Sequence, residues 1–209
     1  MKLLPKNLEA IIFDLGGVVL NLNPQKTIES FAQLTGHPVE KVIKASNHEL
    51  FKQFEKGLID SSTFRRGLNQ LLGTTLSDEA LDNAWNAMLL DLPKDRLQLL
   101  GGLSNRFKTF VLSNTNEIHV TAFEETVRQV AEGNPIDAYF YKVYYSNKVG
   151  MRKPDAEIFE LVMHENSLHP SKTLFIDDTL EHIESAKQLG LHTWHLTDQE
   201  ELFAVFGNE

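Results

Sequence analysis

The chain has 209 residues, no cysteine and a formal net charge of −9 at pH 7. This length predicts one full domain with room for a smaller inserted one, and the missing cysteines exclude disulfides, thiolate metal sites and a cysteine nucleophile. The acidic balance argues against nucleic acid as a partner, and no apolar run approaches the roughly 20 residues that span a bilayer. We therefore expect a cytoplasmic protein that binds neither nucleic acid nor membrane; the sequence indicates no oligomeric state.

The first predicted element is a short strand at residues 10–13, Ala-Ile-Ile-Phe, which ends at Asp14. Its residues are all apolar rather than alternating, which is typical of a strand covered on both faces. Four short amphipathic helices are predicted to follow between residues 24 and 91, each with an apolar stripe and an end signal. No strand pattern interrupts them, so residues 18–91 read as a helical insertion directly after the first strand.

From residue 92 onward, predicted strands and helices alternate. Pro93 opens a helix that runs to about residue 105. Strands are predicted at 109–112, 143–145, 173–176 and 192–195, and helices at 117–132, 155–166 and 180–189. This alternation is typical of an α/β fold with a doubly wound parallel sheet. We predict a Rossmann-like core of residues 1–17 and 92–209, with residues 18–91 as a four-helix cap.

Polar side chains follow three of these strands directly: Asp14, Ser113-Asn114 and Asp177-Asp178. One polar residue after a strand is routine, because it often caps the next helix. Three such ends meet at the carboxyl edge of a parallel sheet, where ligands bind. The carboxylates would repel each other without a cation between them, and hard oxygen ligands favour Mg²⁺.

Lys153 stands in the sequence Gly-Met-Arg-Lys-Pro at residues 150–154. Pro154 disfavours a helical conformation at Lys153 and favours an extended loop. This loop leaves a predicted strand end, so the lysine can point back into the pocket as a positive clamp. The alternative, a solvated surface lysine, stays open on spacing alone.

These segments resemble, in this order, the four motifs of the haloacid dehalogenase-like hydrolases, and residues 18–91 are similar to that family's inserted helical cap. Within the family, the likeness extends to bacterial α-glucose-1-phosphate phosphatases. The matching stretches are Phe-Asp-Leu-Gly-Gly-Val-Val at 13–19, Ser-Asn-Thr at 113–115, Gly-Met-Arg-Lys-Pro at 150–154 and Phe-Ile-Asp-Asp at 175–178.

The resemblance implies a metal site at the end of the first and fourth strands. Asp14 would be the nucleophile and, with the backbone carbonyl of Gly16, a Mg²⁺ ligand. Asp178 would bind the ion directly. Asp177 would either bind it through a water molecule or contact the direct ligands without binding the ion.

The resemblance also implies a phosphoryl site. Ser113 and the backbone of Asn114 would hold the phosphoryl oxygens, and Lys153 would neutralise the charge of the nucleophile and the phosphate. The family's strand order would place the strand ending at Asp14 between those ending at Ser113 and Asp177.

Two positions depart from the commoner family pattern. Gly16 stands where phosphatases of this family usually carry a second aspartate as general acid or base, a role typically worth about 10²–10⁴-fold in rate. His182 stands where asparagine or aspartate is common. It either orients a metal-binding carboxylate, donates a proton, or is a helix-surface side chain, which is the commonest situation for a histidine on a helix.

The resulting expectation is a Mg²⁺-dependent phosphatase of small phosphorylated metabolites, in particular sugar phosphates, acting through an aspartyl-phosphate. A metal-independent 2-haloacid dehalogenase is an alternative, disfavoured by the paired aspartates. A phosphomutase is disfavoured by Gly16. A catalytically impaired binding protein is the third alternative.

Substrate specificity is expected to come from the cap. Aromatic residues at helical spacing more often form a bundle core than a substrate contact, and the sequence does not say which side chains face the pocket. The candidates are Asn47, His48, Glu49, Phe51, Phe54, Glu55 and Trp85.

Overall fold

The structure, a computed structural model, describes residues 4–46 and 48–207. Its centre is a five-stranded parallel sheet in the order β3-β2-β1-β4-β5. This architecture confirms the predicted doubly wound α/β fold. The strands are β1 (Ala10–Phe13), β2 (Lys108–Ser113), β3 (Lys142–Tyr145), β4 (Thr173–Asp177) and β5 (His192–His195).

Five helices follow β1 within residues 24–86. They are α1 (Pro24–Thr35), α2 (Val39–Ser46), α3 (Glu49–Glu55), α4 (Ser61–Leu72) and α5 (Asp78–Asn86). Four of them match the predicted helices, and α2 is a further short helix that the sequence analysis did not predict. The side chain of Asn23 caps the N-terminus of α1, and Gly36 ends it with φ 68°, as the sequence pattern indicates.

The interior of this helical segment is an aromatic cluster. The rings of Phe54 and Phe64 are stacked with centroids 4.1 Å apart, and Phe51 and Trp85 pack at its edge. Phe51 and Phe54 thus belong to the bundle core, in agreement with the commoner role of aromatic residues at helical spacing. Burial of these rings stabilises the helical segment.

The remaining helices cover the two faces of the sheet. They are α6 (Lys94–Gly102), α7 (Glu117–Val130), α8 (Ser146–Val149), α9 (Ala156–Glu165), α10 (Leu180–Gln188) and α11 (Glu200–Phe206). One apolar layer packs α6, α7 and α11 on one face, and a second packs α9 and α10 on the other. Because both faces are covered, β1 and the centres of β2 and β4 are continuously apolar.

The register of the sheet places the ends of three strands side by side. Phe13 pairs with Val111 of β2 and with Ile176 of β4, so β1 lies between them as the resemblance implied. The residues that follow these positions therefore emerge at one edge of the sheet.

The chain leaves and re-enters this core through two adjacent segments. The backbone N–H of Asn21 donates to the carbonyl of Asp91, and that of Leu90 donates to the carbonyl of Asn21. Buried Arg96 donates to the Asn21 side chain at 2.7 Å. The division into 1–17, 18–91 and 92–209 stays a prediction. No helix in the described part of the chain is both long and apolar enough to cross a membrane.

Candidate active site

Three carboxylates meet at the carboxyl edge of the sheet, and we refer to Asp14, Asp177 and Asp178 as the sheet-edge carboxylates. Each offers an oxygen that lies within 4.8 Å of the others. Asp14 follows β1 and accepts a hydrogen bond from the backbone N–H of Leu15 at 2.7 Å. The sequence-predicted convergence of these side chains is therefore present in the structure.

Lys153 lies inside this cluster, with its side chain fully buried. Its Nζ is 2.9 Å from Asp14 Oδ1 and 2.7 Å from Asp177 Oδ2. The side chain of Asn114 holds the backbone of Lys153, accepting from its N–H and donating to its carbonyl, both at 2.8 Å. The geometry excludes the surface-lysine alternative, because a solvated ammonium would be exposed.

The charges in the cluster shift each other's protonation. Burial raises the pKa of Asp14 to about 7, against the opposing effect of Lys153. Burial alone would raise the pKa of Asp177, but Lys153 and His182 hold it below its ordinary value. Burial and the neighbouring Asp177 raise the pKa of Asp178. Burial alone would lower the pKa of Lys153, yet its two carboxylate partners raise it.

Three carboxylates and one ammonium leave an excess of negative charge in a largely buried site. The donor atoms are all hard oxygens, the set that Mg²⁺ prefers in proteins. The residues present therefore fit a divalent cation, which would compensate the charge that Lys153 leaves unbalanced. Only Asp178 of the three is open to solvent, which suits a ligand that faces an entering substrate.

His182 is not a solvent-facing residue, so the commonest reading of a helix histidine is wrong here. Its Nδ1 lies 3.1 and 3.0 Å from the two oxygens of Asp177, and its side chain is 12% exposed. With Asp177 held by Lys153 on one side and His182 on the other, the orientation of this carboxylate is fixed.

Gly16 and Gly17 differ in what they tolerate. Gly17 has φ 75°, and a Cβ there would overlap the carboxylate of Asp178, so glycine is required. Gly16 lies outside the left-handed region, but a Cβ would overlap the side chain of Leu22. Leu22 thus fills the space into which the second aspartate of the commoner pattern would project. Sequence reasoning missed this contact.

A cavity of about 430 Å³ opens above the sheet-edge carboxylates. Ser113, at the end of β2, and Asn114 line it together with Asp14 and Asp178. The apolar part of its lining comes from the linker after β1, residues 14–23, and from the residues that follow α5: Leu20, Leu22, Met88 and Leu89. The polar part of the lining includes Glu55 and Arg152.

Of the cap residues singled out from the sequence, Glu55 and Trp85 line this cavity. His48 and Glu49 are exposed and are not among its lining residues. Asn47 lies outside the described residues.

A second network that sequence reasoning missed joins α5 to the start of α7. Trp85 Nε1 donates to Asn116 Oδ1 at 3.3 Å, and the Trp85 ring stacks on His119 with centroids 4.8 Å apart. His119 Nε2 lies 3.2 Å from the carbonyl of Trp85. Burial lowers the pKa of His119 to about 4, so this histidine is neutral near pH 7 and is a structural rather than an acidic group.

Comparison with known proteins decides the family. Residues 8–190 match the haloacid dehalogenase-like hydrolases. The chain belongs to this family of hydrolases. A D-ribitol-5-phosphate phosphatase of Bacteroides thetaiotaomicron is 30% identical over 88% of this chain and 89% of its own length.

Two further relatives cover most of the chain. A sesquiterpene phosphatase of Aspergillus oryzae is 27% identical over 91% of this chain and 90% of its own length. A solved structure shows a haloacid dehalogenase (HAD) family enzyme of Bacteroides thetaiotaomicron as an aspartate-to-alanine mutant in complex with magnesium and inorganic phosphate. It is 32% identical to this chain, with a TM-score of 0.84, and the match covers 94% of this chain and 98% of that one. The compounds in the names of the two phosphatases, ribitol 5-phosphate and a sesquiterpene, differ sharply in polarity.

Proposed function

We propose that this hydrolase is a Mg²⁺-dependent phosphatase of small phosphorylated metabolites, in particular sugar or polyol phosphates, and that it acts through an aspartyl-phosphate on Asp14. The observation that carries the proposal is the buried Lys153 ammonium in contact with both Asp14 and Asp177. The magnesium and phosphate bound by the crystallised relative support it, as does the ribitol-phosphate activity named for another relative.

The chain's own residues divide the reaction between them. Mg²⁺, held by Asp14, Asp178 and the Gly16 carbonyl, would supply positive charge at the phosphoryl oxygens. Asp14 forms a bond to phosphorus while the bond to the leaving alkoxide breaks, and water later releases phosphate from Asp14. Lys153 stabilises the charge that builds up in a water-poor site.

The phosphoryl group also needs donors on the side away from the metal. Ser113 stands at the end of β2 beside Asp14, and we propose that its hydroxyl and the backbone of Asn114 bind the phosphoryl oxygens. The Asn114 side chain is committed to the backbone of Lys153, so it couples this turn to the lysine.

The alternatives fit the site less well. A metal-independent dehalogenase has no need of three carboxylates within 4.8 Å of one another. A phosphomutase normally uses the second aspartate that Gly16 replaces. A binding protein without catalysis would not require a buried lysine in contact with both the nucleophile Asp14 and the neighbouring Asp177.

The direct test is phosphate release from p-nitrophenyl phosphate with Mg²⁺ and with a chelator, alongside halide release from 2-chloropropionate. We expect phosphate release that requires Mg²⁺ and no halide release. Asp14→Asn is the matched control, since it keeps the shape of the side chain but cannot form an acyl-phosphate. Chelator-resistant halide release would instead establish the dehalogenase.

A further inference from the structure

Part of the polar lining of the cavity is an ion pair between the helical segment α1–α5 and the core, and we refer to this pair as the polar wall. Glu55 is the last residue of α3, and Arg152 directly precedes Lys153. Arg152 Nε donates to Glu55 Oε2 at 2.9 Å, and the side chains are 21% and 25% exposed, Arg152 and Glu55 respectively. Both line the same cavity as Asp14.

A second ion pair links the same two segments without lining the cavity. Lys56 Nζ lies 2.8 Å from Asp155 Oδ2, and neither residue is part of the cavity wall. Gly57, with φ 64°, approaches the backbone of Asn147 so closely that a Cβ would overlap its carbonyl. The helical segment is therefore docked to the core beside the cavity by contacts that do not involve Glu55 or Arg152.

The Glu55–Arg152 pair has hydrogen-bonding capacity to spare. Among the described residues, the bond between Arg152 Nε and Glu55 Oε2 is the one hydrogen bond that either side chain makes. The second oxygen of Glu55 and the terminal nitrogens of Arg152 remain available to a ligand.

The Glu55–Arg152 pair places hydrogen-bond acceptors beside donors and has no net charge as a pair. Hydroxyl groups match this arrangement, because each hydroxyl both donates and accepts a hydrogen bond. An alkyl chain placed against this wall would strip water from two charged groups and return no hydrogen bonds, which is unfavourable. The apolar part of the lining, with Leu22 and Met88, offers an alkyl chain a competing position, so the polar and apolar parts of the lining favour opposite substrate classes.

We propose that Glu55 and Arg152 are specificity-determining residues that bind hydroxyl groups of the leaving alcohol and select phosphate monoesters of polyhydroxylated alcohols over those of apolar alcohols. This inference rests on the proposed phosphatase function. It assigns the chain a polar substrate, like the ribitol phosphate named for one relative and unlike the sesquiterpene phosphate named for another.

The test compares kcat/KM for D-ribitol 5-phosphate and for n-pentyl phosphate, which share chain length and differ in hydroxyl groups. A hydrogen bond to a charged group typically contributes a factor of roughly 10 to 100 in affinity, so Glu55→Gln and Arg152→Gln are each expected to lower the ribitol-to-pentyl ratio by that factor. The loss is expected in the KM for ribitol 5-phosphate. Lys56→Gln is the matched control, since it breaks the neighbouring ion pair outside the cavity, and the ratio should not change.

Binding separates this inference from the proposed function. The affinities of both esters for the Asp14→Asn protein with Mg²⁺, measured by calorimetry, are expected to show the same preference and the same loss on adding Glu55→Gln. If no ester released phosphate but the binding preference remained, the proposed phosphatase function would be overturned and the specificity role of Glu55 and Arg152 would stand. Tighter binding of n-pentyl phosphate, or an equal change in Lys56→Gln, would overturn the specificity role.

Discussion

The sheet-edge carboxylates and the Glu55–Arg152 pair border the same cavity but are built differently. Lys153 and Asp177 are fully buried, and the Lys153 ammonium contacts Asp14 and Asp177 while His182 contacts Asp177 from another side. The Glu55–Arg152 pair joins a helix end to a loop, is about one-quarter exposed, and keeps hydrogen-bonding groups free. The buried cluster holds its charged groups in fixed positions, as a reaction at phosphorus requires. The partly exposed pair has unused donors and acceptors, as recognition of a leaving group requires.

Removing the ammonium from the buried cluster should have the largest effect. Lys153→Met leaves Asp14 and Asp177 as uncompensated buried carboxylates, so we expect a loss of about 3–5 kcal/mol in the free energy of unfolding without Mg²⁺. A charge-stabilising group of this kind contributes about 3–4 kcal/mol to the transition state, so kcat should fall roughly 10²- to 10³-fold. Urea denaturation and phosphate release measure the two effects.

Lys26→Met is the matched control for this prediction, because Lys26 is exposed on α1. Its stability and kcat should equal those of the unmodified chain. Similar losses in the two variants would mean that Lys153 has no special role.

Removing a group that orients the Asp177 carboxylate should lower the affinity for Mg²⁺. His182→Ala removes one of the three groups that orient this carboxylate, the others being Lys153 and the backbone N–H of Thr179. Outer partners of this kind are typically worth about 10- to 100-fold in metal affinity. We expect the Mg²⁺ concentration for half-maximal activity to rise by that factor, with kcat largely recovered at saturating Mg²⁺. His182→Asn keeps a donor and should lose less. A kcat loss that Mg²⁺ does not restore would point to proton transfer by His182 instead.

The pH dependence of stability tests the charge excess. Burial raises the pKa of Asp14 from 3.8 to about 7, so the folded state holds its proton more tightly than the unfolded state. Without metal, the free energy of unfolding should therefore fall as pH rises from about 4 to about 7, by up to about 4 kcal/mol. Asp14→Asn should remove most of this fall and leave the smaller part that comes from the raised pKa of Asp178, and Mg²⁺ should suppress both. Thermal denaturation at several pH values checks it, and a fall unchanged in Asp14→Asn would contradict it.

The smallest expected effect concerns Gly16. Without an acid group there, the rate should depend steeply on the pKa of the leaving group, with aryl phosphates turned over faster than alkyl phosphates. Gly16→Asp combined with Leu22→Ala makes room for the new side chain, and we expect a gain of about tenfold on alkyl phosphates and little change on aryl ones. A flat dependence on leaving group in the unmodified chain would mean that another residue already transfers the proton.

Much of the core was predictable because buried parallel strands leave a clear trace. The central strands β1 and β4 carry an apolar run, and the polar residue that ends the run marks the sheet edge, as at Asp14 and Asp177. The short helix α2 was missed because its eight residues, which include two valines and an isoleucine, give a weak helical signal.

The contacts that shape the cavity were not predictable from local pattern. Trp85 reaches Asn116 across 31 positions of sequence, and Glu55 reaches Arg152 across 97. Leu22 fills the space beside Gly16 because the linker after β1 turns back at this point, and the local sequence does not predict this turn. Such contacts depend on how the helical segment is docked, and only the folded structure reveals them.

The central claim is that Asp14 becomes covalently phosphorylated. Rapid quenching during turnover, followed by borohydride reduction, converts an acyl-phosphate on aspartate into homoserine, which peptide mass spectrometry locates. We predict homoserine at position 14 when substrate and Mg²⁺ are both present, and none when either is omitted. Reduction at position 177 or 178, or an unmodified Asp14 during active turnover, would contradict the account.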